Sequence, residues 1–137
     1  MNRTPRFTIN RTVVLLAPRQ PFLDWLNSVD PDDEMLVLED LREDNEVFLI
    51  PQYNDNTDSE KWVKTRWSFL FEHMLMGWVE DENLWPQDRT LDMFNEWFEI
   101  EIHTMAWDLS DEPLVVEDWQ DEDDEDDEIE IEKIHLH

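Results

Sequence analysis

The sequence predicts an α+β fold, in which a small mixed β-sheet of about three to four strands is covered on one side by helices. Two aliphatic, β-branched runs, at residues 8–17 and 46–53, predict strands. Apolar residues at helical spacing predict helices between and after them, and a period of two returns from residue 99. Eight tryptophans and seven phenylalanines supply the apolar area for a core in a chain of 137 residues.

The first predicted strand covers residues 8–17 and is closed by Pro18. The apolar residues at its centre are Val13, Val14, Leu15 and Leu16. Because successive side chains of a strand point to opposite faces, this run is apolar on both faces and indicates a central strand. A helix and a second strand follow, which suits a right-handed parallel crossover.

The first predicted helix carries apolar side chains three and four positions apart, which places them on one face. These residues are Phe22, Trp25, Leu26 and Val29. Pro21 suits the first helical position, and Pro31 ends the segment. Residues 35–46 are ambiguous between a strand and a short helical turn, and the second strand is predicted over residues 46–53.

The longest predicted helix begins near Thr57 or Asp58, either of which can cap it, and continues to Trp78. Its apolar repeat consists of Val63, Trp67, Leu70, Phe71, Met74, Leu75 and Trp78. The stripe is unusually wide because Trp62, Phe69 and Met76 lie outside this repeat.

A last helix and a last strand share residues 88–107. Leu91, Phe94, Trp97 and Phe98 mark the helix, which Asp88 or Thr90 is expected to cap. From Glu99 the period becomes two, with Ile100 and Ile102 on one face of the predicted strand.

The net charge of -27 is spread unevenly along the chain. Residues 1–22 hold four arginines and no acid, residues 23–110 hold 23 acids and five bases, and residues 111–137 hold fourteen acids and one lysine. Such a field repels nucleic acid and anionic membranes and attracts basic proteins. We therefore expect neither nucleic acid nor membrane as a direct partner.

Several classes of site are excluded by composition. The chain has no cysteine, so disulfides and thiolate chemistry are absent, and its single glycine rules out glycine-rich phosphate loops. The longest apolar run near the N-terminus, residues 13–17, is too short for a signal peptide or a membrane span. We expect a cytoplasmic protein with no cofactor.

The predicted domain covers residues 1–110, and an acidic tail covers residues 111–137. One interpretation is a solvated tail, extended by repulsion between like charges. A second is that Ile129, Ile131 and Leu136 dock as an edge strand. A third is that the acidic run acts as a pseudo-ligand for the protein's own arginines, namely Arg3, Arg6, Arg11 and Arg19.

Histidines offer an alternative function. Glu72 precedes His73, and Glu101 shares a strand face with His103, so either pair suits a metal-dependent enzyme. An isolated histidine beside an acid is more often a surface pair, and no HExxH motif supports the site. His135 and His137 at the terminus are interpreted as polar end residues rather than metal ligands.

The charge and the aromatic residues together predict a non-enzymatic interaction protein that binds a basic partner, as an inhibitor, an antitoxin-like protein or an adaptor that mimics nucleic acid. A nucleic-acid-binding protein is one candidate partner. The predicted partner-binding residues are Trp62, Phe69, Met76, Trp85, Asp121, Glu122, Asp123, Asp124, Glu125, Asp126, Asp127 and Glu128. The other alternative is a structural homodimer in which the tryptophan-rich face is the self-contact.

Overall fold

The computed structural model describes residues 3–43 and 45–119. In chain order its helices and strands are β1 (Phe7–Thr8), β2 (Arg11–Pro18), α1 (Gln20–Val29), α2 (Leu38–Arg42), β3 (Val47–Pro51), α3 (Asn56–Thr65), α4 (Trp67–Met76), a short 3₁₀ helix (Glu82–Leu84), α5 (Leu91–Trp97), β4 (Phe98–His103) and β5 (Trp107–Asp108). The predicted α+β class is confirmed.

The chain divides into two compact units, Asn10–Ala106 and the described parts of Met1–Ile9 and Trp107–His137. In the smaller unit, β1 and β5 form a two-stranded antiparallel sheet. The predicted division into residues 1–110 and a tail of residues 111–137 stays a prediction.

The larger unit is built on a three-stranded sheet in which β2 lies between β3 and β4. Val14 of β2 is opposite Phe48 of β3 on one side and Ile102 of β4 on the other. The predicted central position of the first strand is therefore confirmed. Within the described residues, β3 and β4 each pair only with β2, so the outer edge of each is open.

All three strands are antiparallel to their neighbours, so the predicted parallel crossover is wrong and the sheet is not mixed. Val47 lies opposite Leu15, which means that β3 begins at the end of the sheet where β2 finishes. Helix α1 leads the chain away from that end of the sheet. Residues 35–46, whose sequence was ambiguous, contain α2 and bring the chain back to it. Arg42 of α2 secures the return, because its Nε donates to the Pro18 carbonyl at 3.0 Å.

The helices cover one face of this sheet, as predicted. Thr12, Val14 and Leu16 of β2 point to that face and are fully buried. On the opposite face Val47 and Leu49 of β3 are exposed, at 55% and 51% of their surface. The apolar character of β2 and β3 on both faces therefore leaves an exposed aliphatic surface on this side of the sheet.

The long predicted helix is two helices, α3 and α4, which meet at Arg66. The backbone of Arg66 has φ -109° and ψ 24°, and its N–H donates to the Val63 carbonyl at 3.0 Å, which tightens the last turn of α3. The buried apolar side chains are Val63 in α3 and Leu70, Phe71, Met74 and Leu75 in α4. The caps were predicted in part: Asp55, not Thr57 or Asp58, caps α3, and Thr90 caps α5 as expected.

An aromatic cluster occupies the centre of the core. Its rings belong to Phe22 of α1, Phe71 of α4, Phe94 and Trp97 of α5, and Phe98 of β4. The ring of Phe71 lies 5.3–6.0 Å from three of the others, measured between centroids. Pairs in this range contribute ~0.5–1.5 kcal/mol each beyond their burial, so the cluster holds three helices against β4.

Replacing Phe71 with alanine is expected to lower the free energy of unfolding by about 3–5 kcal/mol, because a buried ring leaves a cavity as well as lost apolar burial. Urea denaturation followed by tryptophan fluorescence measures the change. Phe69→Ala is the matched control on the same helix, since Phe69 is 69% exposed, and should change stability by less than about 0.5 kcal/mol. Equal losses in both variants would contradict the placement of Phe71.

Candidate functional site

The side of α4 that points away from the core carries Phe69, Glu72, His73 and Met76, and we call these four residues the α4 face. Their spacing of three, four and seven positions places them on one stripe of the helix. The opposite stripe, with Leu70, Phe71, Met74 and Leu75, is buried. Two apolar side chains are thus presented to solvent on either side of a carboxylate and an imidazole.

His73 joins the α4 face to the beginning of β3. Its Nε2 lies 2.8 Å from Oε2 of Glu46, and its ring packs edge-on against Phe48 with the centroids 5.3 Å apart. Glu46 directly precedes β3 and Phe48 belongs to it, so these two contacts hold the imidazole against this strand. The Glu46 carboxylate is 57% exposed and extends the acidic surface of the α4 face.

Glu72 is paired with a cation of the same protein. Arg89 donates from Nη2 to Oε1 of Glu72 at 2.8 Å and from Nη1 to the Pro86 carbonyl. The arginine is largely buried and the carboxylate is about half exposed. Glu72 is therefore oriented by Arg89, whereas the Glu46 carboxylate contacts the imidazole of His73.

Trp62 was predicted as an exposed anchor and is half-buried against the core. The guanidinium of Arg66 lies over its ring, 4.0 Å from the centroid, and donates to the Trp62 carbonyl. A cation already stacks on one side of this indole, so Trp62 presents less free aromatic surface than Phe69.

Trp85 is only 5% exposed, and its predicted place on the surface is wrong. Its indole Nε1 donates to the Val79 carbonyl at 2.7 Å, which fixes the ring beneath the segment that follows α4. The guanidinium of Arg89 lies 5.8 Å from the ring centroid. A buried indole N–H needs a hydrogen-bond acceptor, and the Val79 carbonyl, six residues earlier, supplies one. Trp85 can therefore lie in the core.

The histidine alternative required His73, His103 and an acid around one pocket. His73 pairs with Glu46 beside β3, whereas His103, on the other edge strand, lies 3.6 Å from Glu101. Both imidazoles are exposed. Among residues 3–43 and 45–119, no group of three or more His, Asp or Glu side chains is arranged to hold a metal ion. His135 and His137 lie outside these residues.

The acidic part of the predicted binding site, residues 121–128, lies outside the described residues, as does the predicted docking strand with Ile129, Ile131 and Leu136. In the last described residues, Val115 and Trp119 are 89% and 86% exposed, among exposed acidic residues.

A cavity of about 230 Å³, which no pattern in the sequence predicted, lies at the C-terminal end of α4. Its lining residues are Pro18, Leu41, Asn45, Glu46, Met74, Gly77 and Trp78. They come from β2, α2, the loop before β3, α4 and the turn after α4, so no local pattern marks them. The only signal in the sequence is the polar sequence Asn45–Glu46 directly before an apolar strand.

No protein-family model, curated protein or solved structure matches this chain. Of the helices in the described ranges, none combines the length and the apolar character needed to cross a membrane. The geometry of the α4 face and of its neighbouring cavity therefore carries the functional argument.

Trp85→Phe is expected to lower the free energy of unfolding by about 1–3 kcal/mol, because the Val79 carbonyl loses its donor inside the protein. Thermal and urea unfolding measure the loss. Trp119→Phe removes the same N–H from an exposed indole and should change stability by less than about 0.5 kcal/mol. If the Trp85→Phe variant is as stable as the unmodified protein, Trp85 would again be a candidate for contact with the partner.

Proposed function

We propose that this protein is a non-enzymatic, acidic interaction protein of the cytoplasm, and that it binds a basic protein through the α4 face. The single observation that carries the proposal is the exposure of Phe69 and Met76 on one helical stripe, bordered by the carboxylates of Glu46 and Glu72. Apolar anchors within an acidic rim complement a surface of the opposite charge.

The charge supports a basic partner. The described part of the larger unit is strongly acidic, and two of its cations, Arg42 and Arg89, already face the carboxylates of Glu99 and Glu72. A field of this sign raises the rate of encounter with a basic protein and lowers it for nucleic acid. Proteins that bind nucleic acid carry dense lysine and arginine surfaces, so they are the class of partner that this field favours.

Binding would proceed in two stages. Long-range attraction first brings the partner to the acidic surface, and the exposed side chains of Phe69 and Met76 then lose their contact with water. Side chains that are buried at the centre of an interface supply most of the binding free energy, while the surrounding charges set the rate and the specificity. The carboxylates held by His73 and Arg89 are already oriented, which reduces the entropy lost on binding.

The first test removes the two anchors together. A partner captured from cell lysate is identified, purified and titrated against the full chain, and the double variant Phe69→Ala/Met76→Ala is expected to bind at least about tenfold more weakly. The control is Met35→Ala/Leu84→Ala, which truncates two exposed apolar side chains outside α4. Equal weakening in both double variants would contradict a specific role for the α4 face.

The second test separates the acidic tail from the folded surface. The full chain and a version that ends at Asp118 are compared with the same purified partner by stopped-flow kinetics. We expect the association rate of the full chain to fall by about tenfold or more between 50 and 500 mM salt, because surface charges are then screened. Removal of the tail should lower the association rate and leave the dissociation rate within about twofold. An association rate that does not depend on salt would overturn the electrostatic mechanism.

A further inference from the structure

The two outer strands of the larger unit carry different side chains on the face of the sheet opposite the helices. On β4 these side chains are Glu99, Glu101 and His103, and all three are exposed. On β3 they are Val47 and Leu49, which are about half exposed. Charged side chains on an edge strand hinder pairing with a further strand, whereas aliphatic ones do not. The outer edge of β3 is therefore the one that is open to an added strand.

The hydrogen-bond pattern of the sheet determines which backbone groups of β3 point outward. The N–H of Arg19 donates to the Trp97 carbonyl at 2.8 Å and continues the register between β2 and β4. Bonded and non-bonded pairs alternate along an antiparallel ladder, so the odd-numbered residues of β2 bond to β4 and the even-numbered ones to β3. Phe48 and Ile50, which lie opposite even-numbered residues, are thus the residues of β3 that bond to β2.

The residues between them turn their backbone groups away from the sheet. Val47 and Leu49 direct an N–H and a carbonyl outward, and Pro51 directs a carbonyl outward. Proline is tolerated on an edge strand in this position, because it has no N–H that a neighbouring strand could lose. Among residues 3–43 and 45–119, no hydrogen bond occupies the outward groups of Val47 and Leu49. An extended segment from another molecule can pair with this row of donors and acceptors.

The charge around the β3 edge favours a basic segment. Residues 43–60, which include β3, hold six acids and neither lysine nor arginine. A second copy of this chain would bring another charge of -27 to the edge and be repelled, whereas a basic strand is attracted. Charge therefore selects a basic partner over self-association.

The β3 edge is also continuous with the α4 face. His73 of the α4 face packs edge-on against Phe48, with the ring centroids 5.3 Å apart. Phe48 lies opposite the buried Val14 and therefore points to the helix side of the sheet. A strand added to β3 thus has the α4 face on one side and the exposed Val47 and Leu49 on the other.

We infer that the outer edge of β3 binds an extended basic segment of the partner as an additional antiparallel strand. Residues opposite each other in an antiparallel pair have their side chains on the same face. The residues that exchange hydrogen bonds with Val47 and Leu49 are therefore apolar and cover these two side chains, and the basic residues between them point toward the α4 face. The inference rests on the proposed function for the charge of the partner and adds the conformation in which the partner binds.

The test uses the full chain and a defined probe, the peptide acetyl-Lys-Val-Lys-Val-Lys-amide, titrated by NMR at about 150 mM salt to screen unspecific attraction. We expect saturable shifts in the backbone amide signals of Val47 and Leu49. The amide signals of Ile100 and Ile102, on the outer edge of β4, should remain unchanged. Shifts of equal size at both edges would overturn the inference.

Two methylated peptides of identical charge isolate the backbone pairing. N-methyl groups on both valines remove the donors that face β3, and should weaken binding by about fivefold or more relative to N-methyl groups on two of the lysines, whose N–H groups face away. Equal binding of the two methylated peptides would show that charge alone holds the peptide, and would contradict strand addition.

A matched pair of variants tests the protein side. Leu49→Lys and Glu101→Gln each add one unit of positive charge to the same face of the sheet, on β3 and β4 respectively. Leu49→Lys is expected to weaken binding of the unmethylated peptide by about tenfold or more, and Glu101→Gln by less than about twofold. Circular dichroism verifies that both variants are folded, and equal effects would overturn the assignment to β3.

Analytical ultracentrifugation of the full chain alone distinguishes the basic partner from a second copy. We expect a monomer, because the copies repel each other. A dimer of the unmodified chain that Leu49→Lys dissociates would show that a second copy occupies the edge, and would overturn the inference.

The two proposals fail in different ways. If the purified partner needs Phe69 and Met76 but Leu49→Lys and Glu101→Gln weaken that complex equally, strand addition is wrong and the α4 face stands. If Leu49→Lys weakens the complex but the anchor variant binds the partner as tightly as the unmodified chain, the β3 edge stands and the proposed role of the α4 face is wrong.

Discussion

The packing of five aromatic rings is the interaction on which the larger unit depends. Trp97 ends α5 and Phe98 begins β4, and both consecutive side chains are buried although the backbone changes there from helical to extended. Phe71 reaches this junction from α4, and Phe22 reaches it from α1. The three helices are thereby fixed to the sheet at one place, and the burial of such rings offsets the mutual repulsion of a strongly acidic surface.

The same contact determines what α4 can do on its other side. Because Phe71 is locked among the rings, the helix cannot rotate, and Phe69 and Met76 must point outward. His73 and Glu72 are then tied to β3 and to the segment before α5, respectively. The α4 face is therefore held by contacts on both sides of the helix, and the cavity at its end is formed where the helix stops at Gly77 and the chain turns beside α2.

Much of the fold and the exposed side chains of Phe69 and Met76 could be predicted from local patterns, whereas the surroundings of these two residues could not. The central strand, α1 and the cap of α5 by Thr90 follow from periodicity and from the chemistry of single residues. The break at Arg66 has no proline or glycine to mark it, and the apolar repeat continues across it from Val63 to Leu70. Trp85 was predicted on the surface, whereas it is buried. Its hydrogen-bond acceptor is the backbone carbonyl of Val79, which a pattern of side chains does not show. The cavity at the end of α4 was not predicted because the fold brings together residues as distant in sequence as Pro18, Glu46 and Trp78.

The two outer strands of the larger unit have a consequence for solubility. Each of them pairs with β2 alone in the described chain, and the exposed Val47 and Leu49 lie beside the outer edge of β3. Open edges of this kind are templates for pairing between copies, and proteins commonly guard them with charge. Here Glu99 and Glu101 lie on β4, and the whole chain carries a charge of -27. Charge repulsion between copies of the protein therefore opposes aggregation. This repulsion disappears as the pH falls toward the isoelectric point near pH 4.1.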